Sequence, residues 1–331
     1  MRVYLIRRLL LAIPTVFLVS LIIFFMIRLI PGSAIDAAVV RMGMVGGEVD
    51  ITAARAKFER ALGLDVSAII QYGRWIGVIP GADGRVSGLL QGDLGNSYWK
   101  AATVLEEIAS RWPITVELGL MGLIVGQLIA LPIGIFSALR QDTWGDYIAR
   151  SFAILCIAVP GFWIGTIVIV FPAIWWGYMP PIMHVPFIEN PIRNIRMFIV
   201  PAIILGMAMA GGTMRMVRTM MLEVLRQDYI RTAWSKGLRE KVVVIRHALK
   251  NALIPVVTLV GLWLPVLIGG TVIIERVFAL QGMGYLIVDA TEFRDYPLMS
   301  GVMLFFGTGM VIINLIIDLT YAFLEPRIRY E

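Results

Sequence analysis

Six stretches of the chain contain no Asp, Glu, Lys or Arg: 9–27, 118–139, 151–176, 197–214, 251–274 and 296–317. A helix needs about 20 apolar residues to cross a hydrocarbon core about 30 Å thick. In lipid the backbone must satisfy its own hydrogen bonds, which an α-helix does within one segment. The runs therefore predict an all-α, polytopic membrane protein with six transmembrane helices. Composition agrees, with 59% hydrophobic and 16% charged residues and a mean hydropathy of +0.82, against roughly 45–50% and ~25% in a typical soluble domain. That balance excludes an ordinary soluble enzyme and a disordered chain. One cysteine, Cys156, and two histidines, His184 and His247, exclude an intrachain disulfide and a thiolate zinc site built by this chain alone.

Two runs carry a complication. The run 151–176 is the longest and contains Pro160, Gly161 and Pro172, so it is expected to be tilted, kinked or partly interfacial. Arg2, Arg7 and Arg8 precede the first run as in a secretory signal, whose apolar region is only about 7–15 residues long. Here the run is longer and leads into Arg28, Pro31 and Gly32, which predicts a retained helix.

Basic residues in short loops stay cytoplasmic. With the N-terminus inside, the inner segments hold sixteen: Arg2, Arg7, Arg8, Arg140, Arg150, nine between Arg215 and Lys250, Arg327 and Arg329. The short outer loops hold four: Arg193, Arg196, Arg276 and Arg294. Both termini are therefore expected inside. The net charge of +6 follows this topology and does not point to nucleic acid. The expected domains are 1–30 (cytoplasmic N-terminus and first helix), 31–112 (an extracytoplasmic insert) and 113–331 (a five-helix core with an inner loop at 222–251).

The insert reads as a small helical subdomain. Asp50 can cap a helix whose apolar positions Ile51, Ala54, Phe58 and Leu62 recur at helical spacing, with Gly63 as a left-handed stop. Further helices are expected at 67–76 and 101–110, separated by a Gly- and Asp-rich loop at 77–96, and Pro113 opens the second span. A lid or spacer without a binding role is an equally open reading.

The inner loop sets nine basic residues against Glu223, Asp228 and Glu240, and could be a topogenic anchor facing anionic lipid. It nevertheless reads as two short helices divided by one glycine. Residues 227–236 carry Tyr229, Ile230, Ala233 and Trp234, and Gly237 stands as a C-terminal stop. Such a helix is a docking element: Ala233 is expected to permit close approach of a partner, and Arg231 and Lys236 to offer charge pairing. Near the fifth run's outer end, Gly269, Gly270 and Glu275 are candidates for a translocation path, Glu275 as a charge that meets a positive substrate terminus. Plain helix packing by small residues is the competing reading for the glycines.

The sequence from Asp228 to Gly237, DYIRTAWSKG, followed by RHALKNALIP from Arg246 to Pro255, resembles the EAA-type coupling motif of bacterial ABC importer permeases, closest to the dipeptide/oligopeptide/nickel branch. Arg28-Leu29-Ile30-Pro31-Gly32, Leu62-Gly63-Leu64-Asp65, Gly92-Asp93-Leu94-Gly95, Pro160-Gly161-Phe162-Trp163, Glu275 with Val277-Phe278, and the ending with Asn314, Asp318, Pro326 and Arg327 follow the same pattern in order. The chain departs from it in having Ser33 after Pro31-Gly32, Arg231 where the wider motif has Glu, and Pro255 farther from Gly237.

The resemblance implies half of a transmembrane pore in the cytoplasmic membrane of a prokaryote. It implies as partners a second homologous permease, two cytoplasmic ATP-binding cassette subunits, an external solute-binding protein and membrane lipid. It also implies that Asp228, Tyr229, Arg231, Thr232, Ala233, Lys236 and Gly237 contact the ATPases, and that peptides are favoured over nickel chelates and glycosides as substrate. No G-x-x-x-x-G-K-[ST] sequence occurs in the chain, so ATP and Mg are expected on the partner ATPases and no cofactor on this chain. The alternative is a self-contained secondary transporter or channel, but such carriers use ionisable residues at membrane depth and the six runs have none. No H-E-x-x-H or G-x-S-x-G sequence is present, so a transport subunit and not an enzyme is expected.

Overall fold

The computed structural model describes residues 2–30, 59, 63–81, 84–177, 184–269 and 271–324. Among these residues the regular structure is helical. Five helices are long and apolar enough to cross a membrane: α1 (Arg2–Arg28, apolar from Ile6), α3 (Val104–Leu139), α6 (Pro191–Leu225), α8 (Glu240–Gly261) and α12 (Tyr296–Leu324, apolar to Ile317). A sixth arises if α4 (Trp144–Ala158) and α5 (Gly161–Trp176), bent by 89°, count as one broken span. The short helices are α2 (Ala68–Ile76), α7 (Asp228–Ser235), α9 (Leu264–Gly269), α10 (Val272–Val277) and α11 (Met283–Glu292).

One expectation is met and two need correction. The run 151–176, expected to be tilted, kinked or partly interfacial, breaks at Pro160 with a bend of 89°. Proline disfavours the helical region in the residue before it, and Val159 is extended (φ −87°, ψ 121°) ahead of Pro160. Pro172, by contrast, sits inside α5. The run 251–274 is not continuous either: Leu262 and Trp263 close onto Thr258, Leu259 and Val260 before α9 begins. Pro265 follows, and proline cannot donate to, and clashes with, the carbonyl four residues back, that of Gly261. The expected insert helix 101–110 and the second span form one helix. Its start is a capping box in which Thr103 N donates to Glu106 Oε2 (2.9 Å) and Glu106 N to Thr103 Oγ1 (3.2 Å).

Other expectations on secondary structure match. The helix α2 starts after Ser67 and stops at Gly77 (φ +87°), and Gly63 is left-handed (φ +64°). The expected helix cap Asp50 and its apolar positions Ile51, Ala54, Phe58 and Leu62 lie outside the described residues. The segment 176–196 is partly helical, because Asn190 caps α6 by accepting from Arg193 N (3.0 Å) and Pro191 occupies the first turn.

The chain divides into two compact units, 1–113 with 282–331, and 114–281. In the first, α1 and α11 pack on α12 around Ile27, Ile108, Met283, Leu286, Leu298 and Val302. Buried Asp295 fastens the loop before α3: it accepts from Ser97 Oγ and Tyr98 N (3.1 Å), and also from Leu298 N (3.2 Å) at the start of α12. In the second unit, α6 runs through the middle, against α4, α5 and α8. It crosses α3 at glycines: a Cβ on Gly126 would lie 2.8 Å from the Gly206 carbonyl oxygen, and one on Gly206 2.6 Å from that of Gly122. Small residues at such a crossing let two backbones touch, the usual geometry of helix contacts in lipid.

Candidate functional site

Helix α7 has eight residues, too few to be stable alone in water, so packing must hold it. Ile230 and Ala233, three residues apart on one face, are 0% and 7% exposed. They join a core with Ala138 of α3, Val217 and Met221 of α6, and Val243, Val244 and Ala248. The last three belong to a π-helical stretch, Val243–Leu249, at the start of α8, a form that is rare and frequent at functional sites. Asn251 Nδ2 donates to Tyr229 Oη (2.8 Å), a second tie between α7 and α8. The helix ends as Gly237 N donates to the Trp234 carbonyl (2.9 Å), with Gly237 at φ +74°.

Opposite the buried face, Asp228, Tyr229, Arg231, Thr232, Trp234, Ser235 and Lys236 are exposed. The Arg231–Asp228 pair, at 3.5 Å with side chains 73% and 96% exposed, contributes little to stability. Both residues stay available for other partners. Ala233 differs from expectation: it is buried against its own chain, so its small size lets α7 lie close to α6 and the π stretch. The accessible apolar surface is instead Tyr229 and Trp234, 43% and 48% exposed.

Beside this element lies a cluster that the sequence alone does not single out. Asp146, at the start of α4, is fully buried. Its carboxylate accepts a bidentate pair from Arg218 of α6 (Nε 2.8 Å, Nη2 2.7 Å), a hydroxyl from Ser137 of α3 (2.5 Å), and the Asp142 backbone N–H (3.1 Å). Three helices thus meet on one carboxylate. Arg218 neighbours Val217 and lies one turn before Met221, both packed on α7. The one signal in the sequence is a pair of acidic residues, Asp142 and Asp146, between Arg140 and Arg150 in a short inner loop.

The translocation candidates are separate. Glu275, on α10, is 0% exposed, and its Oε1 accepts from Thr115 Oγ1 (2.7 Å) and Thr271 Oγ1 (2.8 Å). The expected substrate-facing charge is thus enclosed by protein. Gly269 is exposed, and a Cβ added there would meet nothing within 4 Å, so among the described residues it makes no small-residue contact. Gly270 lies outside the described residues.

The fold and this surface define a multi-pass membrane protein with a short amphipathic helix held against its long helices. Residues 130–330 match the family model "Binding-protein-dependent transport system inner membrane component", and residues 1–119 the corresponding N-terminal model. A Brucella abortus protein named as a peptide transport system permease is 37% identical over 331 residues, all of both chains. The glutathione transport system permease protein GsiC of Salmonella paratyphi A is 35% identical over 328 residues, 99% of each chain. A crystal structure of an amino acid ABC transporter with histidines matches at TM-score 0.48 and 13% identity, over 68% of this chain and 95% of its own. The chain belongs to the inner-membrane components of binding-protein-dependent transport systems. It is a multi-pass permease subunit of the cytoplasmic membrane and not an enzyme, and it works in an ABC system with ATPase and binding-protein components.

Proposed function

We propose that this chain pairs with a second homologous permease above two ATP-binding cassette subunits. It receives di- or oligopeptides, glutathione-like tripeptides included, from an external solute-binding protein. The names of the full-length relatives support the substrate class. ATP and Mg act on the partner ATPases. The residues Asp228, Tyr229, Arg231, Thr232, Lys236 and Gly237 form the coupling surface, and Ala233 seats it.

One observation carries the coupling role. The outer face of α7 is charged and open, while its inner face is fixed to α3, α6 and the π stretch through Ile230 and Ala233. A push on α7 therefore reaches three long helices without slack, and Asp146 with Arg218 extends it to α4. Coupling of this kind needs an element that both sites bias, here the position of α7 in outward-open and inward-open states. The translocation role of Gly269, Gly270 and Glu275 rests on their place at the fifth run's outer end. For Glu275 it requires that this enclosed carboxylate be uncovered during the cycle.

Affinity capture of the tagged chain from its native membrane in mild detergent, with mass spectrometry, tests the assembly. A second permease and Walker-motif ATPases are expected. A lone chain, under conditions that hold a known importer together, would contradict it.

A further inference from the structure

The segment between α1 and α3 lies beside the hydrocarbon-depth part of α1. Tyr72 Oη and Ser20 Oγ are 3.0 Å apart, Phe24 packs against Tyr72 and Trp75 (ring centroids 5.1 and 5.5 Å), and Gln71 accepts from Arg28 Nε (3.0 Å). Ser20 and Phe24 sit inside the uncharged run 9–27, which must lie in lipid. These polar side chains of α2 that face α1, Gln71 and Tyr72, are paired. The segment leaves large apolar side chains open, Ile69 73% exposed, Leu90 70% and Val78 66%, beside exposed polar ones, Arg85, Ser87, Gln91 and Asp93. That mixture is amphipathic, and exposed apolar patches of this kind mark interaction surfaces.

A groove of about 600 Å³ runs from this segment down the α1 and α12 pair, lined by Ile13, Phe17, Ile76, Leu90, Ile312 and Leu315 among others. Among the described residues its one polar lining side chain is Ser20, already bonded to Tyr72. Water has nothing to bond to in such a groove. Acyl chains need no hydrogen bond, and the groove opens onto surfaces of α1 and α12 (Leu10 60%, Leu18 57%, Ile316 53% exposed) that the bilayer already surrounds.

We propose that 69–90 is a membrane-embedded segment whose apolar side sinks into the outer leaflet, with phospholipid acyl chains filling the groove between it and the α1 and α12 pair. Exposed Arg85 and Asp93 hold the segment at the interface and keep it from the bilayer centre, as in other interfacial amphipathic segments. The leaflet follows from the inside N-terminus; the embedding itself depends only on the membrane location of α1 and α12.

Spin-label accessibility in the assembled transporter, in lipid bilayers, tests this. Leu90→Cys and Val78→Cys are labelled and probed with oxygen, which concentrates in hydrocarbon, and with a water-soluble nickel chelate. Leu10→Cys is the lipid reference, Asp65→Cys the water reference, and the labelled parent chain, whose Cys156 is buried, the blank. At both test sites the oxygen-to-nickel collision ratio is expected to match that at Leu10. A ratio like that at Asp65 would show the segment standing in water. Protection from both reagents would show a protein partner filling the groove. Either result overturns the proposal.

Discussion

At the residue scale, Gly237 is where local chemistry and proposed coupling meet. Its φ of +74° is a left-handed conformation that costs an L-residue roughly 1–2 kcal/mol, and most for a β-branched one. A Cβ there would touch nothing within 4 Å, so the penalty of substitution is conformational and not steric. Gly237→Val is expected to abolish peptide-stimulated ATPase and uptake while the complex still purifies intact. Gly237→Asn, which tolerates the left-handed region, should retain most of both. Equal activity of the two variants, in paired uptake assays, would show that the backbone turn is irrelevant. Glu275 gives the opposite lesson. A carboxylate at the end of an apolar run looks like a substrate ligand in sequence, yet Thr115 lies 160 positions away and its hydrogen bond to Glu275 leaves no local signal.

At the element scale, the proposed coupling turns on how α7 is tied to its neighbours. Removing one partner of a buried ion pair costs about 3–5 kcal/mol, because the other charge is left uncompensated. Arg218 retains 20% exposure, which places Asp146→Asn toward the lower end of that range. The variant is expected to melt at lower temperature and to lose uptake per ATP hydrolysed. An unchanged melting temperature by thermal-shift assay would remove the clamp. Much of this element is legible in the sequence. The helix, its glycine stop and its charged face follow from residues within a few turns of each other, and the structure has helix Asp228–Ser235 where 227–236 is expected. Which face is buried is not legible, since Ala233 suits a partner or a core equally and only Val217, Met221 and Val243, brought in from other helices, decide it. The same holds for the broken runs. Uncharged length is a local property and marks every membrane segment, but whether a proline breaks a helix, as Pro160 does, or is carried inside it, as Pro172 is, depends on packing.

At the scale of the whole molecule, the chain has a helical permease core that, on the proposed function, presents the charged face of α7 to cytoplasmic ATPases. Substrate movement through this chain is driven, on the proposed function, by ATP hydrolysed on other subunits. The decisive experiment is uptake of a labelled peptide into vesicles holding the purified assembly, with the binding protein outside and ATP inside. Uptake is expected to require both, to stop with a non-hydrolysable ATP analogue, and to fall to background with Gly237→Val. Uptake driven by a proton gradient without ATP would contradict this and make the chain a self-contained carrier.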